Sequence, residues 1–169
     1  MNLILFGFKN SGKTYFGKLL AEELNLPYID TDVLIERLSG IPCSRLYQMV
    51  GEEAFRKIEM EAIEGLKLTS DTIIGVGGGA VLSKETLSML KNMGRLVYLD
   101  VNKETLKERM LAQSSLPAYI DPLDKEGSFE AMHARRLPLY ESIPATRINV
   151  SGKSNQMVIQ ELKEVYYGK

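Results

Sequence analysis

Cysteine, histidine, excess charge and long apolar runs are all scarce or missing in this chain of 169 residues. One cysteine, Cys43, allows no internal disulfide. With a single histidine besides, His133, zinc held by the usual Cys and His ligands is excluded. Lys and Arg number 21 against 22 Asp and Glu, a net charge of −1. Such a balance gives no long-range pull toward nucleic acid or an anionic membrane, so neither is expected as a partner. No apolar run approaches the ~20 residues of a membrane span. Met1-Asn2 leads straight into a short apolar run with no charged segment before it, so no signal peptide and a cytoplasmic location are expected. There is no internal repeat, low-complexity tract or linker. The length suits one domain over residues 1–169 with one real core, acting as a monomer.

Short β-like runs alternate with helical spacing. Leu3-Ile4-Leu5-Phe6 is wholly apolar, as in a strand buried on both faces. Further strands are expected over 27–29, 72–76, 95–99 and 147–150. Helices are expected over 13–25, 33–38, 52–68, 84–91, 102–112, 129–140 and 154–167. Five apolar strands separated by helices imply an α/β fold, a three-layer sandwich with a five-stranded parallel sheet flanked by helices. Residues 113–128 lack periodicity, and a stretch of that length suits a lid better than a plain surface loop.

Gly7-Phe8-Lys9-Asn10-Ser11-Gly12-Lys13-Thr14 matches G-x-x-x-x-G-K-[ST] between a strand and a helix. Glycines let backbone N–H groups turn in around phosphate oxygens, and the helix start adds its positive dipole end. Lys13 would reach the β- and γ-phosphates and Thr14 would ligate Mg²⁺. This makes a P-loop nucleotide-binding protein, with ATP and Mg²⁺ as the expected cofactors.

Five segments, in order and spread over most of the chain, resemble the shikimate kinase family, small relatives of the nucleoside-monophosphate kinases. They are the phosphate loop with Gly17-Lys18-Leu19-Leu20-Ala21, then Asp30-Thr31-Asp32, Gly51-Glu52-Glu53-Ala54-Phe55-Arg56-Lys57-Ile58-Glu59, Gly77-Gly78-Gly79 and Arg136-Leu137-Pro138-Leu139-Tyr140. The resemblance implies phosphorylation of the 3-hydroxyl of shikimate by ATP. It implies nucleotide contacts from Gly7, Asn10, Ser11, Gly12, Lys13, Thr14, Tyr15, Arg109 and Lys153, and a metal site at Thr14 and Asp30. Asp32 would be the base, with Lys13 as its catalytic companion. Asp32, Arg56, Glu59, Gly78, Gly79 and Arg136 would hold shikimate, the arginines pairing with its carboxylate. The acceptor-binding helices would span about 31–60.

Simpler readings stand beside these. Asp30 and Asp32 suit helix caps, Arg56 and Glu59 an exposed i,i+3 pair, the glycines a tight turn, and His133 and Cys43 plain packing. A related small-polyol kinase, such as a gluconate-type enzyme, and a non-catalytic nucleotide-binding module are the alternative functions. Two departures from the family pattern matter. Asn10 stands where a further glycine is usual. Leu116-Pro117 stands where the lid carries Arg-Pro, and leucine neutralises no charge. Arg109 and Lys125 are the nearest cations to replace it.

Overall fold

Leu3, Ile4, Leu5 and Phe6 are all fully buried, and they divide between two cores. Leu3 and Leu5 point to one side of the sheet, Ile4 and Phe6 to the other, because successive strand side chains alternate faces. In the computed structural model, which describes residues 1–168, these residues form β1 (Asn2–Phe6) at the centre of the sheet. The others are β2 (Tyr28–Asp30), β3 (Ile73–Gly75), β4 (Gly94–Asp100) and β5 (Thr146–Asn149). All pair in parallel, in the order β2-β3-β1-β4-β5. The expected fold class is therefore the one observed.

Helices α1 (Lys13–Leu24) and α7 (Asn155–Tyr167) cover the Leu3/Leu5 face through Phe16, Leu20, Val158 and Leu162. The opposite face receives α3 (Cys43–Glu64), α4 (Lys84–Met93), α5 (Lys103–Leu111) and α6 (Lys125–Ser142) through residues such as Ile63, Leu90, Leu106 and Phe129. A smaller core of Ile35, Leu46, Phe55 and Ala62 joins α2 (Thr31–Ser39) to α3. The chain leaves β1 for β2 on one side of the sheet and leaves β3 for β4 on the other. A parallel sheet that reverses its winding in this way opens a crevice at the carboxyl ends of those two neighbouring strands.

Two expected boundaries are corrected. The helix expected over 52–68 starts as expected after Gly51 but ends at Glu64, and within α3 it meets a second helix, from Cys43, across a kink. Gly51 (φ 81, ψ 170) is the non-helical residue at that kink, and the helix before it has no counterpart among the expected elements. The lid also ends earlier than 128. Asp124 accepts from the Gly127 N–H at 3.0 Å and caps α6 from Lys125. The stretch from 112 to 124 that remains is anchored, since Ile120 lies in the main core and Leu116 packs against it. Asn102 and Ser154 cap their helices, their side chains accepting from the Thr105 and Met157 N–H groups.

The amino end of the sheet is closed by Asn2, which is 2% exposed. Its amide donates to the carbonyls of Thr69 at 2.8 Å and Met93 at 3.1 Å, and its carbonyl accepts from the Thr72 N–H at 3.1 Å. Asn2→Ala strands these groups, at a cost of about 3 kcal/mol. Thermal unfolding should fall by about 10 °C for a chain of this length, while turnover at 25 °C stays unchanged because the crevice lies at the other end of the strands. A melting temperature within about 2 °C of wild type would refute this role for Asn2.

Candidate active site

The crevice is built on backbone that few residues adopt. Gly12 (φ 96) and Asn10 (φ 67) take left-handed conformations around the phosphate loop, so asparagine serves where the family pattern has glycine. Lys13 donates from Nζ to the carbonyls of Gly7 at 2.9 Å and Phe8 at 2.7 Å. Burial draws this ammonium down to about 8, against the raising pull of Asp32 and Asp30.

Asp30 caps α2 and also holds the Thr14 hydroxyl. Its Oδ1 accepts from the N–H groups of Asp32 at 3.0 Å and Val33 at 3.5 Å, capping α2. Its Oδ2 accepts from the Thr14 hydroxyl at 2.9 Å and the Tyr28 hydroxyl at 3.2 Å. A hydroxyl beside a carboxylate is a hard-oxygen donor set suited to Mg²⁺, which takes one or two protein ligands and completes its shell with water and phosphate. Among the described residues no group of three or more His, Cys, Asp or Glu is placed to hold a metal ion.

Two cavities flank Asp32. The wider, about 410 Å³, is lined by the phosphate loop with Tyr15, Asp30 and Arg109. The other, about 110 Å³, is lined by Arg56, Glu59, Gly77, Gly78, Gly79 and Arg136, and by Tyr119 of the lid. The structure thus brings the expected acceptor residues together. Arg56 and Glu59 are not a solvated pair: Arg56 Nη1 bonds Glu59 Oε2, and the glutamate side chain is 2% exposed. Burial outweighs the arginine and pushes Glu59 up to about 7. Burial and the Asp30 charge hold Asp32 above the ordinary range. Arg136 is 1% exposed and stacks over the Tyr119 ring at 4.5 Å. Among the described residues it pairs with no carboxylate, and its Nε has no hydrogen-bond partner.

The glycines have a reason beyond a tight turn. A Cβ on Gly77 would stand 2.6 Å from Asp32 Oδ1 and 2.8 Å from Glu59 Oε1, and one on Gly79 would overlap the Arg56 guanidinium. Their bare backbone makes room for the charged wall. Gly77 also donates its N–H to Thr31 Oγ1 at 3.1 Å.

Other residues lie outside this cluster. Arg109 Nη1 donates to the Asn10 carbonyl at 3.0 Å and Gln113 Nε2 to Asn10 Oδ1 at 2.9 Å, pinning the root of the lid to the phosphate loop. Lys153 does not line the wider cavity. It pairs with Glu161 at 2.6 Å and borders a neighbouring depression shared with Arg109. Lys125 is exposed at the start of α6 and borders neither cavity. His133 stacks on Phe8 at 4.8 Å, as a packing residue. Cys43 is half-buried with its thiol pushed up to about 12 by burial, and donates to the Asp32 carbonyl at 3.4 Å. Lys9, Tyr47 and Tyr119 line the acceptor cavity without having been singled out. Lys9 was readable as a second cation inside the loop, whereas the tyrosines arrive by long-range folding.

A P-loop at the switch point of a parallel sheet, beside a second cavity walled by buried arginines and a carboxylate, defines a phosphotransferase that acts on a small anionic molecule. A family model described as shikimate kinase matches residues 9–167. The shikimate kinase of Symbiobacterium thermophilum is 37% identical over 168 residues, covering 97% of this chain and 95% of that protein. That of Moorella thermoacetica is 34% identical over 165 residues, covering 96% and 92%. The structure of an Acinetobacter baumannii shikimate kinase in complex with shikimate superposes with a TM-score of 0.88 at 26% identity, covering 99% of this chain and 93% of that one. One from Bacteroides thetaiotaomicron gives 0.86 at 23% identity over 99% and 98%, a likeness of fold. The chain belongs to the shikimate kinase family.

Two groups along the charged wall titrate near neutrality. Below about 7, Glu59 gains a proton and its ion pair with Arg56 loses its charge; above about 8, Lys13 loses its cation. The pH profile of kcat/KM, which reports the free enzyme, should therefore be bell-shaped with its maximum between these values. Glu59→Gln should shift the acid limb, which Asp32 then sets, and leave the alkaline limb in place. A flat wild-type profile from about pH 6 to 9 would contradict the assignment.

Proposed function

We propose that the protein transfers the γ-phosphate of ATP to the 3-hydroxyl of shikimate, giving 3-phosphoshikimate and ADP. The observation that carries this reading is Arg136, a buried guanidinium at the acceptor cavity that pairs with no carboxylate among the described residues. A buried cation costs several kcal/mol unless an anion pairs with it, and a substrate carboxylate meets that need bidentately. Arg56, held by Glu59, would be the second fork. Membership of the shikimate kinase family supports the choice of acceptor. Both cavities share walls drawn from the phosphate loop, α2 and β3's trailing loop, which supports one kinase domain over residues 1–169.

The phosphate loop and Lys13 would hold the ATP phosphates, with Tyr15, Arg109 and the Lys153 edge toward the nucleoside. Thr14 and Asp30 would hold Mg²⁺, which when bound neutralises charge on the β- and γ-oxygens. In the transfer, the bond from the γ-phosphorus to the bridging oxygen breaks and a bond to the acceptor oxygen forms in line. The hydroxyl proton passes to the Asp32 carboxylate, whose raised pKa suits it to that task. The lid, with Tyr119 at the cavity wall, would exclude water.

Purified protein with ATP and Mg²⁺ should release ADP in proportion to added shikimate, and not with gluconate. Turnover only on another polyol would overturn the acceptor, and tight ATP binding without turnover on any acceptor would favour a binding module. Asp32→Asn should lower kcat by about 10²-fold or more while ATP affinity, read by calorimetry, stays within about threefold. Wild-type turnover in that variant would remove Asp32 as the base.

A further inference from the structure

The two cavities meet along one wall, and three side chains border both: Lys9, Lys13 and Asp32. A phosphoryl group crossing from nucleotide to acceptor passes this wall with charge spread over its three equatorial oxygens. The cations that could follow it are few. Arg56 and Arg136 border the acceptor cavity alone, and Arg109 the nucleotide cavity alone. Residues 113–124 of the lid contain no Lys or Arg, and Leu116 is turned against the core. Lys13 is already tied to two carbonyls of its own loop. Lys9 is exposed and, among the described residues, makes no ion pair with Asp or Glu. Its charge nonetheless acts on both Lys13 and Asp32, from its place in the same loop.

We propose that Lys9 is a catalytic cation of the transfer step, reaching from the phosphate loop to the phosphoryl group as it passes between the two cavities. The inference rests on the kinase reading above. A cation that meets charge developing during transfer accelerates the step, whereas one that binds the nucleotide equally well before transfer does not. The position favours the first, because Lys9 stands where the nucleotide and acceptor cavities join. It also assigns the lid's missing charge to neither Arg109, which is bonded to Asn10, nor Lys125, which borders neither cavity.

Lys9→Met and Lys9→Arg separate the possibilities by steady-state kinetics in ATP and shikimate. Lys9→Met should lower kcat by about 100-fold, with both KM values within about threefold of wild type. Lys9→Arg should recover most of that loss, because it restores the charge. Since the side chain is exposed, the melting temperature of either variant should match wild type. A Lys9→Met enzyme within about twofold of the wild-type kcat overturns the proposal, as does a raised KM for ATP at unchanged kcat, which marks ground-state binding only. An arginine variant as slow as the methionine variant also overturns it, because charge is then not the cause. If the wild type itself releases no ADP with shikimate, the kinase reading falls and Lys9 with it; an active wild type with an unaffected Lys9→Met variant removes Lys9 alone.

Discussion

The carboxylate of Asp30 holds the two halves of the site in register. One oxygen caps α2 through the N–H groups of Asp32 and Val33, and the other takes the hydroxyls of Thr14 and Tyr28. Capping fixes where α2 begins, and so where Asp32 points. Bonding to Thr14 fixes that start against the first turn of α1 and the phosphate loop. Asp32 then projects to Gly77 at the end of β3, next to Arg56 and Glu59 from α3. A carboxylate at position 30 that could make only one of these contacts would leave the two cavities free to drift apart. Phosphoryl transfer is mainly positioning and charge neutralisation, so such drift bears directly on rate.

The near-zero net charge conceals a divided molecule. Asn2 gathers neutral hydrogen bonds at the amino end of the strands, where they serve stability. Lys9, Lys13, Arg56 and Arg136 gather with Asp30, Asp32 and Glu59 at the carboxyl end. Two of these groups depart from their ordinary proton affinities against the pull of their neighbours: Lys13 falls to about 8 while Glu59 climbs to about 7. Burial drives both shifts, and at Glu59 bare backbone at Gly77 makes room for it.

Local chemistry made much of this readable from sequence. The phosphate loop is a contiguous pattern whose every residue type has a reason, and Leu3 to Phe6 declare a doubly covered strand by composition alone. Asn102 and Ser154 announce helix starts because capping acts over three residues. The readings that failed concern helix limits: the helix after Gly51 stops at Glu64, short of 68, the helix before it went unread, and Asp124 starts a helix through polar residues with no apolar period. Contacts across the fold had no local signature. Neither the stack of Tyr119 on Arg136 nor the pairing of Lys153 with Glu161 follows from neighbours in the chain. Lys9 was visible throughout, but a position written as x in a motif invites no question until two cavities are seen to share it.

Where the cation sits changes what the lid must do. A charge carried on a lid reaches the transferring group only when the segment closes, so charge delivery and water exclusion are one event. Here residues 113–124 carry no cation, while Ile120 and Leu116 fasten the segment to the core and Gln113 ties its root to Asn10. A lysine on the phosphate loop is held by an element that β1 and α1 already fix, and it needs no closure to arrive. On the reading that Lys9 supplies the charge, the lid is left with shaping the acceptor cavity through Pro117, Ala118 and Tyr119 and with keeping water out. Electrostatic stabilisation is strongest when the groups that provide it need no reorganisation as the reaction proceeds. The rigid loop meets that condition better than a segment that moves.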